Sequence, residues 1–124
     1  MKKIDWSQYP NFTEAEFRCK ETGEIEMCED FLARLQTLRS EFGKPMRITS
    51  GYRSPRHSVE RKKEKPGPHS TGKAADIAVQ GADAHTLVAL AMDLGFNGIG
   101  ISQKAGGARF IHIDTLPRRA IWSY

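Results

Sequence analysis

The sequence predicts a small α+β domain in which a mostly antiparallel sheet is flanked by two main helices. Three observations carry that prediction. The chain has 124 residues, enough to bury one core without a lattice of disulfides. Two stretches carry apolar side chains at helical spacing, and four short runs have strand character between turn signals. Helices and strands lying so close together suit segregated layers, not a parallel sheet with crossover helices. No repeat, linker or low-complexity segment interrupts residues 1–124, so one domain is expected. A hydrophobic share of 39% beside 27% charged residues excludes disorder and fits a globular chain with a solvated surface.

Thr13-Glu14-Ala15-Glu16 has the form of a capping box, and Phe12 and Phe17 on either side read as core anchors. The first long helix is predicted from about residue 28 to residue 42, where Phe31, Leu35, Leu38 and Phe42 form one stripe and Gly43 and Pro45 stop it. Residues 46–49 alternate as a half-buried strand that runs into Ser50-Gly51-Tyr52-Arg53-Ser54-Pro55 and delivers Arg53 to a loop. The segment 55–68 is almost without apolar residues and reads as a long surface loop, stiffened by Pro66-Gly67-Pro68 ahead of His69. A short strand follows at 74–79. Asp83 is a predicted cap for the second helix, with Leu87, Leu90, Ala91 and Leu94 buried and Gly95 at its end. Strands at 98–101 and 110–114 close the pattern around a Gly106-Gly107 turn.

Net charge is +4, and six of the nineteen basic residues lie between Arg53 and Lys65. That segment has no aromatic residue to stack on a base, so a solvated loop is expected and a nucleic-acid partner is not. The N-terminus meets Asp5 before any apolar stretch develops, and no run is long enough to span a bilayer. Synthesis in the cytoplasm without a signal peptide is the expectation, and so is a monomer. Cys19 and Cys28 stand nine positions apart. A pair, two reduced thiols and a weak metal pair are all open to them, with reduced thiols the default.

Chemistry concentrates in His69-Ser70-Thr71-Gly72-Lys73-Ala74-Ala75-Asp76 and Ile111-His112-Ile113-Asp114. Two histidines and a carboxylate are a suitable three-donor set for a zinc site that keeps one position open. His69, Asp76 and His112 supply it. Gly72 permits a tight turn between the first two, and small Ala74 and Ala75 permit close packing. His112 and Asp114, two apart in a strand, share a face while Ile111 and Ile113 point to the core. Two roles are open to Asp114: base for a water proton, or acceptor that orients a ligand histidine. His57 and His85 read as structural. Trp122 and Tyr124 read as core packing or a cleft wall.

Taken in order, Asn11 to Phe17, Thr49-Ser50-Gly51-Tyr52-Arg53-Ser54, His69 to Asp76, and Phe110 to Asp114 with Trp122 following resemble the M15 metallopeptidases. The resemblance is to the small M15A-type branch that includes phage and bacterial peptidoglycan peptidases. It implies a fold of the Hedgehog and D-Ala-D-Ala peptidase kind, with His69, Asp76 and His112 as zinc ligands. It also implies hydrolysis of stem peptides or their cross-links in peptidoglycan, by an enzyme of phage lysis or of a phage tail that meets the wall after release or on the particle. Arg53 matches a substrate position where a guanidinium holds a carboxylate or a developing oxyanion. Two positions depart from the family pattern. Arg109 stands where many members carry an acidic base, which leaves Asp114 as the carboxylate to take the proton in metal-assisted hydrolysis. Gly67 stands where a serine is frequent. A zinc-bearing module that binds cell wall without cleaving it is the alternative reading.

Overall fold

Each predicted helix and strand has a counterpart in the computed structural model, which describes residues 3–124; Met1 and Lys2, the start of the segment from which no signal peptide is expected, lie outside them. The helices are α1 (Glu14–Phe17), α2 (Glu29–Phe42) and α3 (Gly81–Asp93). The strands are β1 (Arg47–Ser50), β2 (Ala74–Ala78), β3 (Gly98–Ser102), β4 (Phe110–Asp114) and β5 (Ala120–Ser123). Among the described residues they form one sheet in the order β1-β2-β4-β3-β5. Every pairing is antiparallel except that of β3 with β5, so the α+β expectation holds.

α1 is a single turn started by Thr13, whose backbone N–H donates to the Glu16 carboxylate at 2.8 Å. It buries Phe17 beside Phe12. In α2 the stripe of Phe31, Leu32, Leu35 and Leu38 is buried, and Gly43 in the left-handed region ends the helix by donating to the Arg39 carbonyl. α3 begins at Gly81, two residues before the expected cap, because extended Gln80 carries the chain straight off β2. Asp83 therefore sits inside the first turn, where it favours the helix dipole and pairs with Lys44 at 2.8 Å. Ala84, Leu87 and Ala91 are its buried side chains, with Leu90 and Leu94 packed half-buried beside them.

The sheet buries one face under α2 and α3. Ala75, Ile77, Ile99, Ile111 and Ile113 point there and join one hydrophobic core. Alternation leaves the opposite face to Asp76, His112, Asp114, Gly98, Gly100 and Trp122. Register aligns them: Ser50 pairs with Asp76, Asp76 with His112, His112 with Gly100, and Gly100 with Trp122, one row across all five strands.

β5 is the element the sequence reading lacks. After β4 the chain passes the end of β3 in five residues (115–119), with the Asn97 side chain donating to the Leu116 carbonyl at 2.8 Å and the Asn97 carbonyl receiving the Ala120 N–H. β5 then runs parallel to β3 along the sheet edge. Trp122 and Tyr124 thereby lie beside the sheet's polar face and outside the hydrophobic core.

Candidate metal centre

His69 and Asp76 come from one tight turn. The 3-10 turn Pro68–Thr71 presents His69, and Gly72 closes it at φ 75°. A Cβ at Gly72 would stand 2.3 Å from the Glu26 carbonyl oxygen, so the turn excludes other residues both by conformation and by space. β2 then starts at once and places Asp76 three residues into the sheet. β4 places His112 directly opposite Asp76.

The three side chains converge. His69 Nε2 lies 3.3 Å and His112 Nδ1 3.1 Å from the same oxygen, Asp76 Oδ1, and the three donor atoms fall within 4.8 Å of one another. Donors around a tetrahedral zinc with bonds of about 2.0–2.1 Å are roughly 3.3 Å apart. Both histidine–aspartate separations match that spacing, and the nitrogen and oxygen donors suit zinc.

Outer partners fix both imidazoles. His69 Nδ1–H donates to the Gly51 carbonyl at 2.8 Å, which turns Nε2 toward Asp76. His112 Nε2–H donates to Asp114 Oδ2 at 2.7 Å, which turns Nδ1 toward Asp76. Carbonyl and carboxylate oxygens only accept here, so the proton positions follow from the partners. Such orienting acceptors behind ligand histidines set tautomer and basicity.

Asp114 sits on the far side of the His112 ring and is fully buried. Its Oδ1 accepts from Leu116 N–H at 3.2 Å and from Arg118 at 2.7 Å, while Oδ2 accepts from Arg118 at 3.0 Å as well as from His112. The guanidinium of Arg118 also lies 5.6 Å from the centre of the Trp122 ring, which in turn packs 5.0 Å from the His112 ring. Room for this arrangement comes from two glycines in β3. A Cβ at Gly98 would stand 2.2 Å from Asp114 Oδ2, and one at Gly100 would stand 2.7 Å from Trp122 Nε1 and 3.0 Å from His112 Cβ. In sequence these glycines are strand residues, and their spacing of two, matching that of His112 and Asp114, is the signal of their place under the site. Gly98→Ala is expected to displace Asp114 and weaken zinc binding roughly tenfold or more, read by competition with a chelating dye.

Electrostatics favour the charged forms of Asp76, Asp114 and His112. Burial pushes the Asp76 carboxyl up, but hydrogen bonds with His112 and His69 outweigh it and bring the pKa down to about 2. Burial likewise opposes ionisation of Asp114, yet His112 and Arg118 bring it to about 2. For His112 burial disfavours the cation, and the hydrogen bonds with Asp114 and Asp76 win, so its pKa is raised. Both aspartates start from an ordinary value of 3.8. A carboxyl depressed in the folded state stabilises above its unfolded pKa and loses that contribution as pH falls through the folded one. Zinc-free protein is thus expected to lose stability between about pH 4 and pH 2, measured by thermal melts across that range. An Asp114→Asn protein is expected to show a shallower decline.

Arg53 stands at the exit of β1, where its backbone N–H donates to the His69 carbonyl at 3.1 Å. Its side chain is half-buried, with Nη1 3.0 Å from Glu60 Oε2. Arg109 is exposed and turns to Gln80 Oε1 at 3.2 Å and the Lys104 carbonyl. His57 pairs with Glu21 at 3.2 Å, and His85 is exposed on α3. Cys19 and Cys28 are both free thiols. Among the described residues no helix is long and apolar enough to cross a membrane.

No curated protein matches the sequence. A family model described as Peptidase M15 matches residues 10–114, a stretch that contains Arg53, His69, Asp76, His112 and Asp114 and ends before β5. Over that span the chain belongs to the Peptidase M15 family.

Proposed function

We propose that this peptidase holds zinc between His69, Asp76 and His112 and hydrolyses peptide bonds in peptidoglycan stem peptides or their cross-links. The observation that carries the reading is the convergence of two outward-anchored imidazoles on one Asp76 oxygen. Bound there, zinc supplies Lewis-acid polarisation of a peptide carbonyl and acidifies a water. The chain's own residues prepare the site. Gly51 and Asp114 aim the imidazole lone pairs, and Arg118 holds Asp114 in place. Trp122 walls the His112 ring on the sheet's outer edge. Arg53, beside the His69 turn, offers its free guanidinium donors to a substrate carboxylate or oxyanion.

Asp114 is read here as a positioning residue. Its burial and its four donors, on the side of His112 away from Asp76, support orientation of the ring over proton transfer to and from a water. The same engagement favours a second reading, a zinc-bearing module that binds cell wall without cleaving it, since Arg109 also turns away from the centre. Digestion of purified peptidoglycan with zinc-loaded protein, followed by mass spectrometry of the muropeptides, separates the two. Released peptides with new termini support the peptidase and identify the bond. Wall binding with no release across several wall chemotypes supports the module. The setting that fits this substrate is the cell wall, met after release from the cell or on a phage particle.

A further inference from the structure

The basic loop between β1 and the His69 turn contains one residue that its composition hides. Glu60 is 1% exposed, the most deeply buried acidic group outside the metal centre among the described residues. It lies in a 3-10 turn, Glu60–Lys62, in the middle of a charged segment. A carboxylate buried in this way costs free energy unless its partners are fixed and complete. Its partners come from three places. Oε2 accepts from Arg53 Nη1 at 3.0 Å, Lys63 Nζ approaches at 3.1 Å, and Oε1 accepts the Gly67 N–H at 2.8 Å. One of these donors is the residue read as facing substrate, and another is the backbone immediately before the turn that presents His69.

From this geometry we infer that Glu60 is a positioning residue of the site: it locks the guanidinium of Arg53, whose backbone is bonded to the His69 turn, and ties the loop to that turn. The inference rests on the reading of Arg53 as the contact to a substrate carboxylate. An arginine left free would sample many rotamers and lose entropy on each binding event. One whose Nη1 is already committed to a buried carboxylate keeps its plane and presents its remaining N–H groups in a fixed fork. The long loop is thus a support for Arg53, and its exposed lysines are the solvated part. Gly67 fits the scheme, since its N–H is in use and a Cβ there would meet Glu60 Oε1 at 3.5 Å, an ordinary contact.

The test uses zinc-loaded full-length protein. Glu60→Gln keeps the shape and removes the charge. It is expected to raise KM for a peptide with a free carboxylate roughly tenfold, with kcat within about twofold and zinc stoichiometry unchanged. Glu60→Asp, which restores the charge on a shorter arm, is expected to recover part of the KM. Lys65→Met, which removes an exposed charge of the same loop away from Glu60, is expected to leave KM unchanged. A loss of kcat in place of KM, or an equal effect from Lys65→Met, would overturn the inference in favour of general loop support. The nitrogen-15 spectrum of the Arg53 guanidinium supplies a readout independent of turnover: resolved, slowly rotating Nη signals in wild type that merge in Glu60→Gln support the lock, and averaged signals in wild type defeat it. If Glu60→Gln does not fold, Arg53→Lys probes the pair from its exposed side and is expected to show the same rise in KM, while an unchanged KM would count against it. Wild-type protein that releases no peptide from any wall defeats the peptidase reading, and the Arg53 spectrum still judges the lock.

Discussion

Asp114→Asn is expected to weaken zinc binding by roughly 10- to 100-fold while leaving most of kcat intact once zinc is saturating. The carboxylate is buried and accepts four hydrogen bonds, from His112, Leu116 and both terminal nitrogens of Arg118. An asparagine of the same shape can accept at only one of its two termini. Whichever way the amide is turned, its NH2 faces a donor: Arg118 and Leu116 on one side, or Arg118 and His112 on the other. The conflict is relieved by tilting the amide or the imidazole, and the lone pair of His112 Nδ1 leaves the direction of Asp76. Metal affinity registers that tilt directly, because an outer acceptor acts through ring orientation and basicity. A general base removed outright costs about 10²- to 10⁴-fold in rate. Zinc titration against a chelating dye together with kcat at saturating zinc therefore separates the roles. Unchanged affinity with a rate loss of about a hundredfold or more would return Asp114 to the role of base.

How far this centre can be read from the sequence follows from the range of each interaction. His69 and Asp76 belong to one turn and one strand, where Gly72 and the small alanines announce a sharp reversal, so local rules suffice. His112 and Asp114 share a face by alternation, and that too is local. Which neighbour Asp114 touches is different: the imidazole that it holds has two nitrogens, and only the register of β2 on β4 decides that Nδ1 faces Asp76. Gly98 and Gly100 matter because β3 pairs with β4 in a register that lays them under Asp114 and His112. Arg118 reaches Asp114 from a connection whose proline and two arginines look like a polar turn.

The range of interactions governs the helices and strands as well. Stripes with several large apolar residues, as in α2, survive any uncertainty of register. β5 has four residues at a sheet edge with only one side chain in two partly covered, which gives alternation too little length to register. Glu60 was hidden for a different cause. Its neighbours Arg61, Lys62, Lys63, Glu64 and Lys65 describe a solvated segment, and burial of one acid among them depends on Arg53 and Gly67, seven residues away in each direction.

Asp76→Asn is expected to abolish stoichiometric zinc binding and, with it, turnover. Both imidazoles approach the same carboxylate oxygen, at 3.1 and 3.3 Å, so this residue is the hinge of the donor set. The amide keeps the volume but removes the negative charge that offsets a dication, and a ligand loss is expected to exceed the roughly 100-fold effect of an outer partner. The zinc-free protein gives a second measurement. In wild type the raised pKa of His112 means that its cation, held between Asp76 and Asp114, stabilises the fold fully below the ordinary value of 6.5. That contribution is lost as pH rises through the folded pKa. Asparagine removes one of the two carboxylates that raise it, so the contribution is smaller in the variant and is used up at lower pH, and thermal melts of zinc-free protein from pH 5 to pH 9 read the difference. In the proposed site metal and proton compete for the same nitrogen, His112 Nδ1, and zinc binding to wild type is therefore expected to strengthen as pH rises and to release a proton. Retention of one tightly held zinc by Asp76→Asn, with an unaltered melting profile, would mean that the ion sits elsewhere and that the His69–Asp76–His112 cluster is an ionic knot of the fold.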